Sequence, residues 1–246
     1  MIPFGDNMNQ AYKANKLKIL NCFTVPMQVL RPYETRYDRN TVAALIINGM
    51  YPGHVKILNI GSGGKRHLAA QLKNKTVVDL DIAGDVDYLI NLEVDPLKFQ
   101  NNEFDIVVAL DVLEHLDNFH EIVNKSIEIA SKSVIISLPN PLNEVLNIVK
   151  NKKYNGTDEN GLYSKYYGLP RKKPRDRHKW WFTIDSVVNF FEQYNKDYNL
   201  RYAVVYIDTI KRRVAKILIG ENRFYRFYTS GIWVIIDKKS CPSGKV

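Results

Sequence analysis

Residues 55–64 read VKILNIGSGG, a strand-length apolar run that ends in three closely spaced glycines. Glycine at the end of a strand allows a tight turn and lets a ligand approach the backbone closely. Many strand-to-helix turns contain glycine, so this stretch alone indicates a strand and a turn. No GK[ST] sequence follows the glycines. Its absence argues against the phosphate loop of a nucleoside triphosphate hydrolase.

Strand patterns and helical patterns alternate on both sides of this turn. Strands are predicted at 55–60, 76–81, 86–91, 104–111 and 133–139, and helices at 65–73 and 120–131. Such alternation is typical of βαβ units, which form a parallel sheet with helices on both faces. The sequence therefore predicts an α/β fold with a doubly wound, mostly parallel sheet.

The remaining segments are predicted to extend a single domain. An irregular or partly helical lead-in reaches to about residue 33, and an amphipathic helix follows from Thr35 to Met50. Later elements are a helix at 142–152, a helix capped by Thr183, and strands at 201–208 and 231–237. The predicted division is an N-terminal helical extension (1–52), a ligand-binding half (53–140), an inserted arm or lid (141–182) and a C-terminal helix with strands (183–246).

Composition is that of a soluble globular protein, with 45% hydrophobic and 25% charged residues among 246. The apolar runs are far shorter than the roughly 20 residues that span a bilayer. The first residues lack the basic and then apolar order of a signal peptide. Cys22 and Cys241 form neither a disulfide framework nor a CxxC pair. We therefore expect a cytoplasmic protein.

The net charge is +9, and the cations concentrate in two segments, 171–179 and 211–226. Such an excess can indicate nucleic acid, an anionic membrane surface or an acidic substrate. It can equally follow from a Lys-rich and Asn-rich composition. Charge alone leaves these alternatives open.

Acidic residues lie at the ends of two strands of the predicted sheet. Asp79-Leu80-Asp81 ends the strand at 76–81, and the sequence DVLEHL (111–116) closes the strand at 104–111. Ligands of doubly wound sheets bind outside the carboxyl ends of the strands. An acid at the second strand tip can accept hydrogen bonds from both hydroxyls of a ribose, or it can be an ordinary solvated carboxylate.

In this order, NIGSGG, DLD, INLE and FDIVVALDVLEHL resemble the motifs of class I S-adenosylmethionine-dependent methyltransferases over about residues 55–140. The resemblance implies S-adenosyl-L-methionine as the cofactor. It places Gly61 and Gly63 near the methionine portion and Asp81 on the ribose, and the remaining implied contacts are Asn59, Ser62, Ile82, Asn91, Leu92 and Asp111, with Asn91 and Leu92 beside the adenine. The chain departs from the family at Asn59, where an acid is usual, and in the GSGG spacing.

The DVLEHL turn also carries a metal hypothesis. On a helical turn Asp111, Glu114 and His115 would share one side, and such ligands suit Mg²⁺ or Mn²⁺. A similar pattern binds metal in ubiquinone-biosynthesis O-methyltransferases and in small-RNA terminal 2′-O-methyltransferases. The RNA enzymes add a histidine from a segment that resembles His178–Thr183. Alternatively, Glu114 and His115 only cap the turn, as in many methyltransferases that need no metal.

The segment GLPRKKPRDRHKWWFT (168–183) concentrates cationic, aromatic and titratable groups. His178 is a candidate general base, with His115 and Asp111 as further catalytic candidates, or it only caps the following helix. The candidate acceptor-binding residues are Arg175, Arg177, Trp180 and Trp181. Similar arms occur in methyltransferases that resemble those of surface-glycan biosynthesis.

The sequence RRVAKILIGENRFYRFY (212–228) interleaves apolar residues with cations. It predicts either a helix packed on the core or an interfacial helix. The second possibility implies peripheral attachment at the inner face of the membrane and a lipid-linked acceptor.

Three functions remain open from the sequence. The first is O-methylation of a sugar hydroxyl on a glycan or glycolipid precursor. The second is metal-dependent 2′-O-methylation of RNA ribose. The third is a non-catalytic binding protein that keeps the fold.

Overall fold

A computed structural model describes residues 19–20, 27–30, 36–150 and 177–239. The strands in these ranges are β1 (Ile19–Leu20), β2 (Met27–Val29), β3 (Lys56–Ile60), β4 (Thr76–Asp81), β5 (Tyr88–Leu89), β6 (Phe104–Leu110), β7 (Ala130–Pro139), β8 (Tyr198–Tyr206) and β9 (Thr229–Lys238). The helices are α1 (Arg36–Met50), α2 (Phe119–Ile129), α3 (Pro141–Lys150), α4 (Ile184–Glu192), α5 (Ile210–Ile219) and α6 (Glu221–Tyr228). Two short 3₁₀ helices lie at Ala69–Gln71 and Leu113–His115.

All of these strands belong to one sheet, in the order β1-β2-β8-β9-β7-β6-β3-β4-β5. The strands from β5 to β7 are parallel, while β9 runs antiparallel to both β7 and β8. The order β5-β4-β3-β6-β7 is that of a doubly wound sheet, and its direction of winding reverses between β3 and β6. The predicted fold class is confirmed, and the switch point lies where the glycine turn leaves β3.

Two apolar layers cover the sheet, one on each face. Strand β6 shows the division, because Ile106 and Val108 face the layer that contains α1, while Val107 and Ala109 face the layer that contains α2 and α4. This alternation follows from the two-residue period of a strand. A sheet buried on both faces explains the continuous apolar runs of β3 and β6.

The lead-in before α1 differs from its prediction. The helix is confirmed at Arg36–Met50, but residues 19–20 and 27–29 are strands rather than irregular or helical chain. Strand β2 pairs in parallel with β8, and Leu30 N–H continues the ladder by donating to Val204 O at 2.9 Å. Strand β2 thus supplies hydrogen-bond partners to backbone groups of β8 that would otherwise lie at an open sheet edge.

The helix predicted at 65–73 is wrong, since only Ala69–Gln71 forms a single 3₁₀ turn. The chain here is held by contacts to the β4–β5 connection. Asp85 N–H donates to Gly64 O at 3.2 Å, and the Arg66 guanidinium makes two 3.0 Å hydrogen bonds to Asp87. These tertiary contacts override the local helical pattern.

The other predicted elements between 76 and 139, and the helices before residue 150 and after Thr183, are confirmed with shifts of a few residues at their ends. Most of the predicted arm, including Arg175, lies outside the described residues. Across the ranges that are described, every helix falls short of the length and apolarity that a membrane crossing requires.

Candidate functional site

The glycine turn after β3 packs directly against the turn after β6. Gly61 has a φ of +68°, and its N–H and that of Ser62 both donate to Leu80 O, at 2.8 and 3.2 Å. A Cβ added at Gly61 would lie 2.5 Å from Cγ2 of Val112. The turn therefore needs glycine for its conformation and for this contact. Two of the four predicted motifs, NIGSGG and the DVLEHL turn, therefore meet at the switch point of the sheet.

Asp81, the last residue of the DLD motif, lies at the tip of β4 and contacts the glycine turn. One carboxylate oxygen accepts from Gly63 N–H at 2.6 Å and the other from Ile82 N–H at 2.7 Å. The side chain of Ile82 is 65% exposed beside it. The carboxylate thus borders the glycine turn, where the resemblance places a ribose.

Asn59, two residues before Gly61, pairs with Asp79 of the neighbouring strand β4. Its side chain is buried, and Nδ2 donates to Asp79 Oδ1 at 2.7 Å. Burial raises the pKa of Asp79, against the opposing effects of the Asn59 hydrogen bond and of the Arg66 charge. An acid at position 59 would face Asp79 without a donor, which explains why an amide suits this chain. The side chain of Asn59 is thus engaged by Asp79.

The segment expected beside the adenine is anchored to the start of α2. Asn118 Nδ2 donates to Leu92 O at 2.7 Å, and the Leu92 side chain is buried in the apolar layer. Asn91 Oδ1 accepts from Glu93 N–H at 3.1 Å. The backbone of 91–93 therefore has a fixed course past the end of β5.

Asp111 departs from its predicted arrangement. It has a φ of +47° and precedes the 3₁₀ helix, so it does not share one side of a turn with Glu114 and His115. Its carboxylate forms a partly buried ion pair with Arg39 of α1 and accepts from Ser137 Oγ at 2.5 Å. Arg39 and Ser137 were not foreseen, although a cation on an apolar helix face and a hydroxyl inside an apolar strand were visible signals.

Glu114, His115 and His178 converge on one point. Their ligand atoms all lie within 4.8 Å of one another, and the two imidazole rings meet edge to face with centroids 4.6 Å apart. His115 Nε2 is 3.6 Å from Glu114 Oε1. The other oxygen, Glu114 Oε2, is buried without a hydrogen-bond partner among the described residues. Three of the four predicted metal ligands therefore lie together. The fourth, Asp111, is instead paired with Arg39.

The electrostatics of Glu114 follow from this position. Its side chain is 1% exposed, and burial, with a smaller effect from the Asp111 charge, raises its pKa well above the usual range. Arg39 opposes the shift, but its guanidinium is paired with Asp111. A buried carboxyl with so little compensation is stable when it is protonated or when a cation supplies the missing charge.

The segment 177–182 is fixed to the DVLEHL turn, which brings His178 to its place. Lys179 N–H donates to Glu114 O at 2.8 Å, and its ammonium binds Glu93 and Asp117 at 2.8 and 2.6 Å. Trp180 Nε1 donates to Leu116 O at 2.6 Å. His178 is itself only 5% exposed. Its approach to Glu114 thus depends on backbone pairing as well as on side chains.

The two predicted stacking residues have different surroundings. Trp180 is partly buried and packs on His120 with ring centroids 5.2 Å apart, whereas Trp181 is 46% exposed. Both line a pocket of about 180 Å³ whose other aromatic lining residues are Phe119, His120, Phe182, Phe190 and Phe191. Arg177 is half-buried at the start of this segment. Trp181 is the better placed of the two for contact with an added ligand.

No protein-family model and no curated protein matches the chain. Solved structures do. The plantazolicin methyltransferase BpumL, in complex with a monoazolic desmethylPZN analog and SAH, has a TM-score of 0.52 at 10% identity, over 82% of this chain and 83% of that one. The small RNA methyltransferase HEN1 has a TM-score of 0.50 at 16% identity, over 83% of this chain.

The match covers 25% of the HEN1 chain, so this protein spans about a quarter of that molecule. A SAM-dependent methyltransferase from Archaeoglobus fulgidus matches with a TM-score of 0.45 at 15% identity, over 81% of this chain and 94% of that one. The likeness to BpumL and HEN1 shows that this chain has the fold of S-adenosylmethionine-dependent methyltransferases.

Proposed function

We propose that the protein is an S-adenosyl-L-methionine-dependent methyltransferase that acts on a hydroxyl oxygen of a sugar. The observation that carries this proposal is the meeting of three motifs at the switch point. Gly61 lies against Val112, and Gly63 binds Asp81. This is the edge of a doubly wound sheet at which nucleotide ligands bind.

The residues at this edge fit the cofactor. Glycine at position 61 lets the turn after β3 pack against Val112 of the turn after β6, and Asp81 offers carboxylate oxygens at the tip of the neighbouring strand. When bound, the cofactor supplies a methyl group on a sulfonium that is its own leaving group. The protein therefore has to orient the acceptor oxygen, exclude water and remove one proton.

His178 and His115 are the groups that would take up that proton. His178 is nearly buried, and His115 stands edge-on to it. An imidazole titrates close to neutral pH and can accept a proton from a hydroxyl within hydrogen-bond reach. Asp111 is less suited to this role, since Arg39 and Ser137 hold its two oxygens.

The alternative role of Glu114, His115 and His178 is to hold a divalent cation, Mg²⁺ or Mn²⁺, and the two imidazoles would then be ligands rather than bases. The fit rests on the convergence of one carboxylate and two imidazoles and on the buried, unpartnered oxygen of Glu114. Carboxylate and imidazole ligands are acceptable to Mn²⁺, and Mg²⁺ favours oxygen. A cation there would polarise an acceptor hydroxyl and lower its pKa.

The leading acceptor is a sugar hydroxyl on a glycan or glycolipid precursor. Trp181 is 46% exposed and would supply indole surface to a sugar ring, and Arg177 stands at the start of the same segment. The aromatic pocket of about 180 Å³ lies beside them. Together they describe a surface that suits a flat, partly apolar ring with polar substituents.

The second candidate acceptor is the ribose 2′-hydroxyl of RNA. The convergence of His178 with Glu114 and His115 favours it, as does the net charge of +9. RNA binding would weaken steeply with salt, because phosphate contacts release counterions. A protein that shows no RNA binding at low salt would not have this function.

A labelled-methyl transfer assay tests the proposal. Purified protein and labelled cofactor are offered glycan, lipid and RNA fractions, with and without Mg²⁺ or Mn²⁺. His178→Ala should lower turnover by roughly 10²- to 10⁴-fold, the usual contribution of a positioned acid or base. Binding of S-adenosylhomocysteine, measured by calorimetry, should stay within about twofold, since His178 belongs to the acceptor side of the proposed site.

His54→Ala is the matched control, because His54 is exposed and hydrogen bonds only to Thr76 among the contacts described for it. It should leave turnover unchanged. A folded protein that binds neither S-adenosylmethionine nor S-adenosylhomocysteine would contradict the proposal and favour a non-catalytic binding protein. Equal effects of His54→Ala and His178→Ala would contradict the role of His178.

A further inference from the structure

Helix α5 presents its apolar side to solvent. Four of its residues, Ile210, Val214, Ile217 and Leu218, have exposed fractions of 78%, 50%, 82% and 78%. At 100° per residue they fall within an arc of about 100° on one side of the helix. None of the ten residues of α5 is buried. Of the two alternatives for residues 212–228, packing on the core holds for α6 through Phe224 and Tyr225, but not for the apolar side of α5.

The opposite side of α5 attaches it to the protein, and that side is largely polar. Lys216 Nζ donates to Tyr225 OH at 3.0 Å and pairs with Glu221 at 2.9 Å. Arg212 Nη1 donates to Ile207 O at 3.1 Å, and Ile219 packs against the core. The contacts that fix the helix leave its apolar stripe facing outward.

Cations border this stripe on both sides. Lys211 and Arg213 fall at the two edges of the arc by the same helical geometry, and both are exposed. Arg213 also makes an ion pair with Asp208 at 2.7 Å. In the next helix Arg223 and Phe227 are exposed as well. An apolar stripe flanked by basic residues is the pattern of helices that lie in the interface of an anionic bilayer.

We propose that α5 docks the protein on the surface of an anionic lipid bilayer, with its apolar stripe among the acyl chains and Lys211 and Arg213 at the headgroup phosphates. Charge complementarity selects this occupant. A second copy of the chain on the same stripe would bring like cations together, and nucleic acid offers no counterpart to four exposed aliphatic side chains. This inference does not depend on the proposed methyl transfer.

Vesicle co-sedimentation tests the proposal. The full chain is mixed with phosphatidylcholine vesicles that contain or lack phosphatidylglycerol, at low and at high salt. The wild type should bind the anionic vesicles, bind neutral ones more weakly, and lose affinity as salt screens the charges. Ile217→Gln with Leu218→Gln should reduce binding at least about tenfold, because two of the four inserting side chains become polar.

Leu89→Gln with Val94→Gln is the matched control. These residues are exposed by 68% and 74%. Strand β5 is at the edge of the sheet that is farther from β8, the strand that leads into α5. The control should bind vesicles as the wild type does, and circular dichroism should show both double variants folded. Cofactor binding, measured separately, should be the same in the wild type and in the α5 variant.

Three results would overturn the proposal. The first is a wild type that does not bind anionic vesicles at low salt. The second is equal loss of binding in the α5 variant and in the control. The third is a wild-type dimer that Ile217→Gln with Leu218→Gln dissociates while vesicle binding is absent, since the stripe would then be covered by a second copy.

Discussion

Replacing Gly61 with alanine tests the contact on which the candidate site is built. Gly61 has a φ of +68°, and an alanine Cβ would lie 2.5 Å from Cγ2 and 2.7 Å from Cβ of Val112. Two separate costs follow. The left-handed conformation costs an alanine about 1–2 kcal/mol. Forcing a methyl group into a filled space costs a further ~1–3 kcal/mol.

We therefore expect Gly61→Ala to lower the free energy of unfolding by about 2–5 kcal/mol, a large part of the roughly 5–15 kcal/mol of a typical domain. Urea unfolding followed by circular dichroism measures this loss. Val112→Ala in the same chain should recover part of the packing cost, because it removes both γ carbons. It should not recover the conformational cost. Recovery of the packing cost should also be incomplete, because the Cβ of residue 112 would still lie 2.7 Å from the Cβ added at position 61.

Two other glycines separate the two costs. Gly220 has a φ of +78° and a ψ of 157°, but nothing lies within 4 Å of an added Cβ, so Gly220→Ala should cost about 1–3 kcal/mol for conformation alone. Gly53 has open space and no positive φ, so Gly53→Ala should be neutral or stabilise by about 0.4–1 kcal/mol. If Gly61→Ala costs no more than Gly220→Ala, and Val112→Ala gives no recovery, the contact between the two turns is refuted.

Two further predictions concern the acids of β4. Burial raises the pKa of Asp79, so the folded state holds this proton more tightly than the unfolded state, and stability is lost as pH rises through the raised pKa. Relative to the wild type, Asp79→Asn should gain stability over that range by up to about 1.4 kcal/mol per pH unit in urea titrations, and parallel pH profiles would contradict this. Asp81→Ala removes the acceptor of the Gly63 and Ile82 N–H groups and the proposed ribose acid. Loss of a charged hydrogen-bond partner costs about 1.5–3 kcal/mol, so calorimetry should show S-adenosylhomocysteine bound roughly 10- to 100-fold more weakly, and unchanged affinity would remove Asp81 from the site.

The central sheet was predictable because its strands are buried on both faces. Their apolar runs stand out from the polar connections, and a right-handed βαβ order follows from the alternation. Strands β1 and β2 were not predictable, because two or three residues carry no periodic signal and their pairing depends on the free side of β8. The helix expected at 65–73 failed for a similar reason, since its residues are held by Asp85 and Asp87 across the chain.

The candidate site was also predictable in part: the proximity of its motifs was, but the directions of its side chains were not. Parallel strands bring their carboxyl ends to one edge, so the proximity of the glycine turn, Asp81 and the DVLEHL turn follows from the order of motifs. The direction of each side chain does not. Asp111 adopts a φ of +47°, and a regular helical turn was the wrong geometry for it. Its partner Arg39 lies 72 residues earlier in the chain, and local sequence patterns do not predict contacts over such a separation.

The pairing of Asp111 with Arg39 in turn determines what Glu114 can do. Both acids come from one turn. Arg39 and Ser137 bind the carboxylate of Asp111, whereas Glu114 is buried with one oxygen that has no hydrogen-bond partner among the described residues. Burial and the charge of Asp111 both raise the pKa of Glu114. Ionisation of Glu114 is therefore costly unless a positive charge is supplied, and His115 and His178 meet it at the site proposed for a divalent cation. Because a cation competes with that proton, occupation of the cluster would release a proton from Glu114, and metal affinity would rise with pH. Without a metal, burial favours the protonated form of Glu114, which would be a hydrogen-bond donor beside the two imidazoles. In the proposed methyl transfer, the protonation state of this side chain would therefore distinguish a metal-assisted route from one that relies on histidine alone.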